Sequence, residues 1–398
     1  MKITKIEIKD FRGIESLALD LLGPGKKPLD MVVLAGPNGC GKTSILEACL
    51  RAFRRDDLLG SGRKPKEDIL RGANDFHVAL TLDVNGREEQ VSRTSNSHDF
   101  IYEKRWQNPQ TGKPEDFSTV SYYSSWRYPK LVGSISVTAG KRGKRPSDTE
   151  DNRLWRLKQY LVNLTARKGF ESSKGSGVVW ETPEDAFARL NRVWRMFYPD
   201  RHEQFVAKPA SEDIEAGFDV ILERADGKQV SMDVLSAGEI EVLCLLGLIV
   251  AKEEHPDILF LDEPELHLHP AWHRKMLPAL KEVMPGSQII AATHSPQVLG
   301  GIPADSVRLL RRTKSGLSAV TPESSYGLDA DRILEDLLEV PEREPEIEGK
   351  LHDLFNLVDR NDLPKARSRL ADLRAIIPGD PELAKADVLI RRKEALGK

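Results

Sequence analysis

Eight consecutive residues, Gly36-Pro37-Asn38-Gly39-Cys40-Gly41-Lys42-Thr43, fit the pattern G-x-x-x-x-G-K-[ST]. Glycines at those places let backbone N–H groups converge on an anion, and a helix that starts at once adds partial positive charge. The chemistry expected is phosphate binding, with Asn38, Gly39, Gly41 and Ser44 in the cradle. Lys42 then pairs with the β/γ-phosphates of ATP, and the Thr43 hydroxyl holds Mg²⁺. A second candidate is Ile258-Leu259-Phe260-Leu261-Asp262-Glu263. An apolar run ending in two carboxylates fits a buried strand whose C-terminal end faces a ligand. Asp262 would reach Mg²⁺ through water and Glu263 would polarise the attacking water. Alone, that run fits a strand end meeting solvent equally well.

Two further segments carry polar groups at the edge of apolar runs. Leu235-Ser236-Ala237-Gly238-Glu239 opens an apolar stretch, and Ser236 with Glu239 makes a capping-box pattern. A hydroxyl and glycine amides at a helix start also suit a phosphate, so both roles can hold together. Ile289 to Thr293 is a buried-strand pattern that ends in His294. His267, His269 and His273 invite a metal reading, but one-residue spacing in a loop fixes no ligand geometry.

These residues need strands to aim them. Met31 to Ala35 reads as a strand buried on both faces, running straight into the glycine-rich segment and a helix from Ser44 to Arg55. Ile3, Ile6 and Ile8 mark an edge strand, with a second at Leu17 to Leu19. Val78 to Val84 and Phe117 to Tyr123 read as strands, and Phe218 to Glu223 with Gln229 to Val234 as a hairpin around Asp226-Gly227. Gly133 to Glu150 reads as a basic loop with Lys141, Arg142, Lys144 and Arg145, and two helices follow, Asp151 to Arg167 and Glu184 to Phe197. Leu351, Leu354, Phe355 and Val358 begin a helical tail, followed by the stripe from Leu363 to Ile377 and a capped start at Asp380-Pro381.

The 398 residues hold 59 Lys+Arg against 62 Asp+Glu, a formal charge of −3, which excludes a polybasic protein. No apolar run is long enough to span a membrane, and the N-terminus lacks a signal-peptide core. Three cysteines, Cys40, Cys49 and Cys244, argue against a disulfide framework and for a reducing cytoplasm.

The order of these motifs resembles ABC-type ATPases. Leu235 to Glu239 is similar to the family signature LSxGE/Q, and Glu263 to Pro270 resembles the segment after the catalytic Glu in the SMC/RecF/OLD branch. The resemblance implies an α/β head with a mixed sheet flanked by helices, a partly helical insertion and an all-helical C-terminal extension. It implies ATP held between two protomers, with Ser236, Gly238 and Glu239 of one closing over the phosphates of the other. His294 takes the place of the switch histidine. Asp10-Phe11-Arg12-Gly13-Ile14 resembles the branch's opening NFRGI, which makes Arg12 a candidate nucleotide ligand. A Q-loop glutamine is expected as well, and Gln90 and Gln107 are both open as candidates.

The expected organisation is an N-terminal lobe over 1–125, an insertion over 126–215, a C-terminal lobe over 216–322 and a helical docking extension over 323–398. Ser325 to Asp329, Leu334 to Asp336 and Val340 to Arg343 resemble stand-alone PtuA-like ATPases of Septu and retron antiphage systems. That resemblance implies a homodimer controlling a separately encoded HNH-type nuclease docked on the C-terminal helices. No metal-binding nuclease strand follows His294, since Asp329-Ala330-Asp331 has no buried strand before it. The alternatives are a RecF-like clamp that grips duplex DNA through the basic insertion, around Arg127 and Lys141 to Arg145, and, more remotely, a transporter subunit.

Overall fold

The computed structural model describes residues 1–59, 64–96, 119–125, 153–171, 182–210, 217–247, 255–313, 316–338 and 344–395. They form two compact units, Met1–Ile333 and Leu334–Lys398.

In the first unit the chain opens with β1 (Lys2–Phe11), β2 (Ile14–Asp20) and β3 (Met31–Ala35), then helix α1 (Lys42–Ala52), β4 (His77–Val84), β5 (Arg87–Thr94) and β6 (Val120–Tyr123). Helices α2 (Arg153–Glu171) and α3 (Pro183–Phe197) precede β7 (Gln204–Pro209), β8 (Phe218–Glu223) and β9 (Gln229–Ser231). After α4 (Ala237–Val242) come β10 (Ile258–Asp262), α5 (Pro270–Val283), β11 (Gln288–Thr293), β12 (Val307–Thr313) and β13 (Gly316–Val320). β2-β1-β4-β5 make an antiparallel sheet, β13-β12-β3-β11-β10-β6 a mixed one, and β7-β8-β9 a third.

The central strands of the mixed sheet run parallel and are covered on both faces, so their sequences are nearly all apolar. Every residue of β3, β10 and β11 is buried. Helix α1 packs between the two larger sheets, and Ile45, Leu46, Ala48 and Cys49 lose all solvent exposure there. Gln288 ties the sheets together. Its amide donates to the Ile3 and Leu29 carbonyls, both at 2.9 Å, and its Oε1 accepts from the Ile3 N–H at 2.7 Å. A buried amide with every bond made costs little, where an unmet one would be expensive.

Several elements differ from expectation. β1 is internal rather than an edge, because β4 pairs along its free side. β5 is an additional strand: Glu89 and Arg93 are buried in it, and Arg93 is neutralised by Asp56 at 2.8 and 2.9 Å, so its apolar alternation is masked. α1 begins two residues earlier than Ser44 and stops at Ala52. β9 ends at Ser231, where the Ser231 hydroxyl caps a short 3-10 turn over Met232–Val234. α4 continues as a π-helical turn, Leu243–Gly247. Residues 117–118, the basic loop around Lys141 to Arg145, Arg127 and Gln107 lie outside the described residues, as do 339–343.

In the second unit the helices Pro345–Asp359, Leu363–Ile376 and Pro381–Ala395 pack around a core of their own that includes Leu351, Leu354, Leu370, Leu373 and Ile390. Asp329-Ala330-Asp331 sits on no strand: Asp329 caps a helical turn over Ala330–Arg332.

Candidate active site

The parallel strands deliver their polar residues to one edge of the sheet. β3 ends at Ala35, and the chain turns through Gly36, Gly39 and Gly41, all at positive φ. At Gly36 (φ 151) a Cβ would stand 2.8 Å from the Leu310 carbonyl oxygen, so no other residue fits without moving β12. Pro37, Asn38 and Gly39 are exposed, whereas Lys42 is 6% exposed. Its ammonium donates to the carbonyls of Gly36 at 2.9 Å and Pro37 at 3.3 Å, which folds it across the loop. Ser44 follows within the first turn of α1.

Asp262, fully buried at the end of β10, faces this turn. The Thr43 hydroxyl lies 3.0 Å from each of its carboxylate oxygens, and the Ser125 hydroxyl donates to Oδ2 at 2.8 Å. Ser125 was not expected. It follows β6, which lies parallel to β10, so the only signal in the sequence was a strand ending in serines. Thr43 and Asp262 form an all-oxygen donor set of the kind that suits a hard cation such as Mg²⁺ beside phosphate.

Glu263 follows in the left-handed region (φ 51), its N–H bonded to the Ala292 carbonyl at 2.8 Å and its own carbonyl accepting from Leu266 at 3.0 Å. His294, at the end of β11, places Nδ1 2.8 Å from Glu263 Oε2 while its ring stays half exposed. The arrangement joins a carboxylate able to accept a proton from water to an imidazole facing solvent. Glu265, two residues further along the chain, is buried and accepts from the Thr293 hydroxyl. Burial first, and the charge of Glu263 second, push its carboxyl upward.

The neighbouring histidines serve the backbone. His269 caps α5 by accepting from the Ala271 N–H at 3.2 Å, and His273 spans Ser295 and the Leu268 carbonyl, both at 3.2 Å. Among the described residues the grouping with metal-ligand geometry is instead Glu263, Glu265 and His294.

The other expected site residues fall in two places. Ser236 caps α4 in a full capping box with Glu239, and is exposed. Burial opposes the Glu239 charge, but the Ser236 hydroxyl and amide, with Arg201, outweigh it and lower its pKa. Gly238 lies against the His267 carbonyl oxygen, 3.1 Å from where a Cβ would stand. Arg12, by contrast, is turned into a buried ion cluster. It pairs with Glu47 and donates from Nε to Asp68 at 2.7 Å, and Asp68 is also held by Arg51. Gln90 sits on β5, paired with Thr81.

The family described as "AAA domain, putative AbiEii toxin, Type IV TA system" matches residues 31–300. The chain is similar to the Retron Ec83 probable ATPase of Escherichia coli, 23% identical over 87% of this chain and 78% of that protein. It is equally similar to Septu protein PtuA of Bacillus thuringiensis, 23% identical over 85% of each. A solved SMC head, bound in its crystal to the C-winged helix domain of ScpA, superposes at a TM-score of 0.51 with 13% identity, over 80% of this chain and 97% of that one. That likeness shows an SMC-type head fold. With Lys42, Asp262, Glu263 and His294 all inside the matched span, the chain belongs to this AAA family and is an ATPase with an SMC-type head fold.

Proposed function

We propose that two copies of the chain close around ATP and that this cycle controls a separately encoded effector nuclease in antiphage defence. One observation carries the reading most. Ser236 and Ala237 start a helix with their polar face exposed, while the groups for cleavage are gathered around Lys42 and Asp262. The capping box satisfies the Ser236 and Glu239 amides. The amides of Ala237 and Gly238 have no partner within the helix and suit the γ-phosphate held by a second copy.

In this scheme Lys42 and the amides of the loop from Gly36 to Gly41 bind the phosphates, while Arg12, the ligand suggested by the opening motif, is held by Glu47 and Asp68 and has no part in it. Thr43 and Asp262 hold Mg²⁺, which supplies charge neutralisation on the β- and γ-phosphates. Glu263 accepts the proton of the attacking water, and His294 reports the γ-phosphate. The relatives that span most of the chain belong to retron and Septu systems, which supports the defence role over a DNA-repair clamp. The helices of residues 345–395 are the proposed dock for the nuclease, and the cytoplasm the proposed compartment. Among the described residues no helix is long and apolar enough to cross a membrane.

Complementation tests the shared site. Lys42→Ala and Ser236→Arg should each abolish turnover, and hybrid dimers seen by native mass should recover part of it, since one composite site survives. Hybrids with no activity would overturn the shared-site reading. Co-expression with the neighbouring genes should retain a nuclease that is lost when residues 344–398 are deleted.

A further inference from the structure

Glu265 has no role in the scheme above, yet it is among the most constrained groups in the site. Its side chain is 7% exposed. One oxygen accepts from the Thr293 hydroxyl, which itself accepts from the Ser295 N–H at 2.9 Å. The other oxygen, Oε2, is buried and meets no N–H or O–H donor. Glu265 belongs to the cluster in which one ligand atom each of Glu263, Glu265 and His294 lie within 4.8 Å of one another.

Two carboxyls that close, one of them out of water, do not both stay ionised, because neither desolvation nor repulsion is compensated. A proton on Glu265 removes both costs at once. It turns the carboxyl into a donor, and the neighbouring group able to accept is the Glu263 carboxylate, whose ligand atom lies within 4.8 Å. Burial and the charge of Glu263 act in the same direction. His294 reaches Glu263 from the exposed side, so the carboxylate of Glu263 is held from two sides.

Resting on the assignment of Glu263 as the base, we propose that Glu265 is a positioning residue, a neutral carboxyl bridging Thr293 and Glu263 that aims the Glu263 carboxylate at the attacking water. Glu263 needs such a brace because its backbone sits in the left-handed region, where a non-glycine residue persists only if its surroundings over-determine it.

The test is steady-state ATP turnover and ATP binding on the full chain, comparing wild type with Glu265→Ala, Glu265→Gln and Glu263→Gln. Glu265→Ala should lower kcat by about 10- to 100-fold, the lower part of what a misplaced general base costs, with KM and ATP binding unchanged. Glu265→Gln should recover most of that loss, because an amide donates to Glu263 and accepts from Thr293 as the neutral acid does. A Gln variant as impaired as Ala would mean that charge, not a proton, is needed, and would overturn the proposal. Wild-type kcat in Glu265→Ala would overturn it too. Stoichiometric Zn²⁺ or Mn²⁺ binding to the nucleotide-free wild type, lost in Glu265→Gln, would make the cluster a metal site and also overturn it. Should Glu265→Ala fail to fold, Thr293→Val removes the anchoring donor and should give the same kcat loss at constant KM. Unimpaired turnover in Glu263→Gln would instead remove the base assignment, whatever the Glu265 variants do.

Discussion

The ammonium of Lys158, on α2 and without solvent exposure, lies 2.6 Å from the Asp233 carboxylate, three residues ahead of Ser236. The same ammonium pairs with Asp219 on β8 at 2.7 Å. One buried cation therefore ties α2 to the strand and turn that lead into the exposed helix start. Removing it leaves two mostly buried carboxylates facing each other. Lys158→Met should cost about 3–5 kcal/mol, the usual effect of breaking a buried pair by deleting one partner. A thermal scan checks this: Tm should fall by several degrees and recover when Asp219→Asn and Asp233→Asn are added. Turnover should drop more than ATP binding does, because the phosphate loop lies on other elements.

Ser125 and Thr43 both hold Asp262 by hydroxyl hydrogen bonds, at 2.8 and 3.0 Å. Asp262→Asn should abolish Mg²⁺-dependent turnover. Ser125→Ala removes one of the hydroxyls that donate to this carboxylate, worth about 1.5–3 kcal/mol for a charged acceptor, of which solvent would restore part. A rise of about tenfold in the Mg²⁺ concentration for half-maximal rate is expected, with little change in Tm. An unchanged Mg²⁺ dependence would confine Ser125 to structural support.

The contrast between these residues shows what the sequence made legible. Gly36 to Thr43 are contiguous, so chemistry and geometry are written in one segment, and the apolar runs of β3, β10 and β11 declare strands buried on both faces. Ser125 and Asp262 are 137 residues apart and meet only because β6 lies beside β10. Arg12 shows the same limit from the other side. Its neighbours in sequence suggest a ligand for nucleotide, while its partner Asp68 lies 56 residues away. β5 was hidden because charged residues, Glu89 and Arg93, take buried places in it, Arg93 held by Asp56 from outside the strand, so burial left no apolar pattern to read.

In the second unit, carboxylates are held by local cations. Asp387 is lowered chiefly by its hydrogen bond from Arg374, Asp362 by Lys365, and Glu346 by Lys350. A carboxylate with a depressed folded-state pKa adds stability above its unfolded value, and that contribution is lost as pH falls through the folded value. Protection of the amides of residues 345–395 against hydrogen exchange, corrected for intrinsic rates in the full chain, should therefore weaken below about pH 4. Asp387→Asn should flatten that dependence, because Arg374 and Arg391 lose the acceptor they share. Constant protection down to pH 3 would show that the apolar core of Leu354, Leu370 and Ile390 suffices without these pairs.

Asp68 has no solvent exposure, and its two oxygens are divided between Arg12 at 2.7 Å and Arg51 at 2.8 Å. Arg12 also pairs with Glu47 of α1, so its guanidinium links the end of β1 to the helix that begins at Lys42. An arginine committed to two carboxylates has little of its fork left for a phosphate. Arg12→Ala is thus expected to act on stability first, lowering Tm by several degrees with a change in KM for ATP of less than about threefold. Arg12→Lys should restore little, since an ammonium cannot reproduce a planar fork spanning Glu47 and Asp68. The opposite pattern, an unchanged Tm with ATP binding weakened by tenfold or more, would place Arg12 on the nucleotide and require it to leave Asp68 when ATP arrives. Asp68→Asn separates the two, because it removes one of the two carboxylates that hold Arg12 without deleting the arginine. Stability should then fall by an amount similar to that in Arg12→Ala if the ion cluster is its role, while ATP binding should tighten if the nucleotide competes for it.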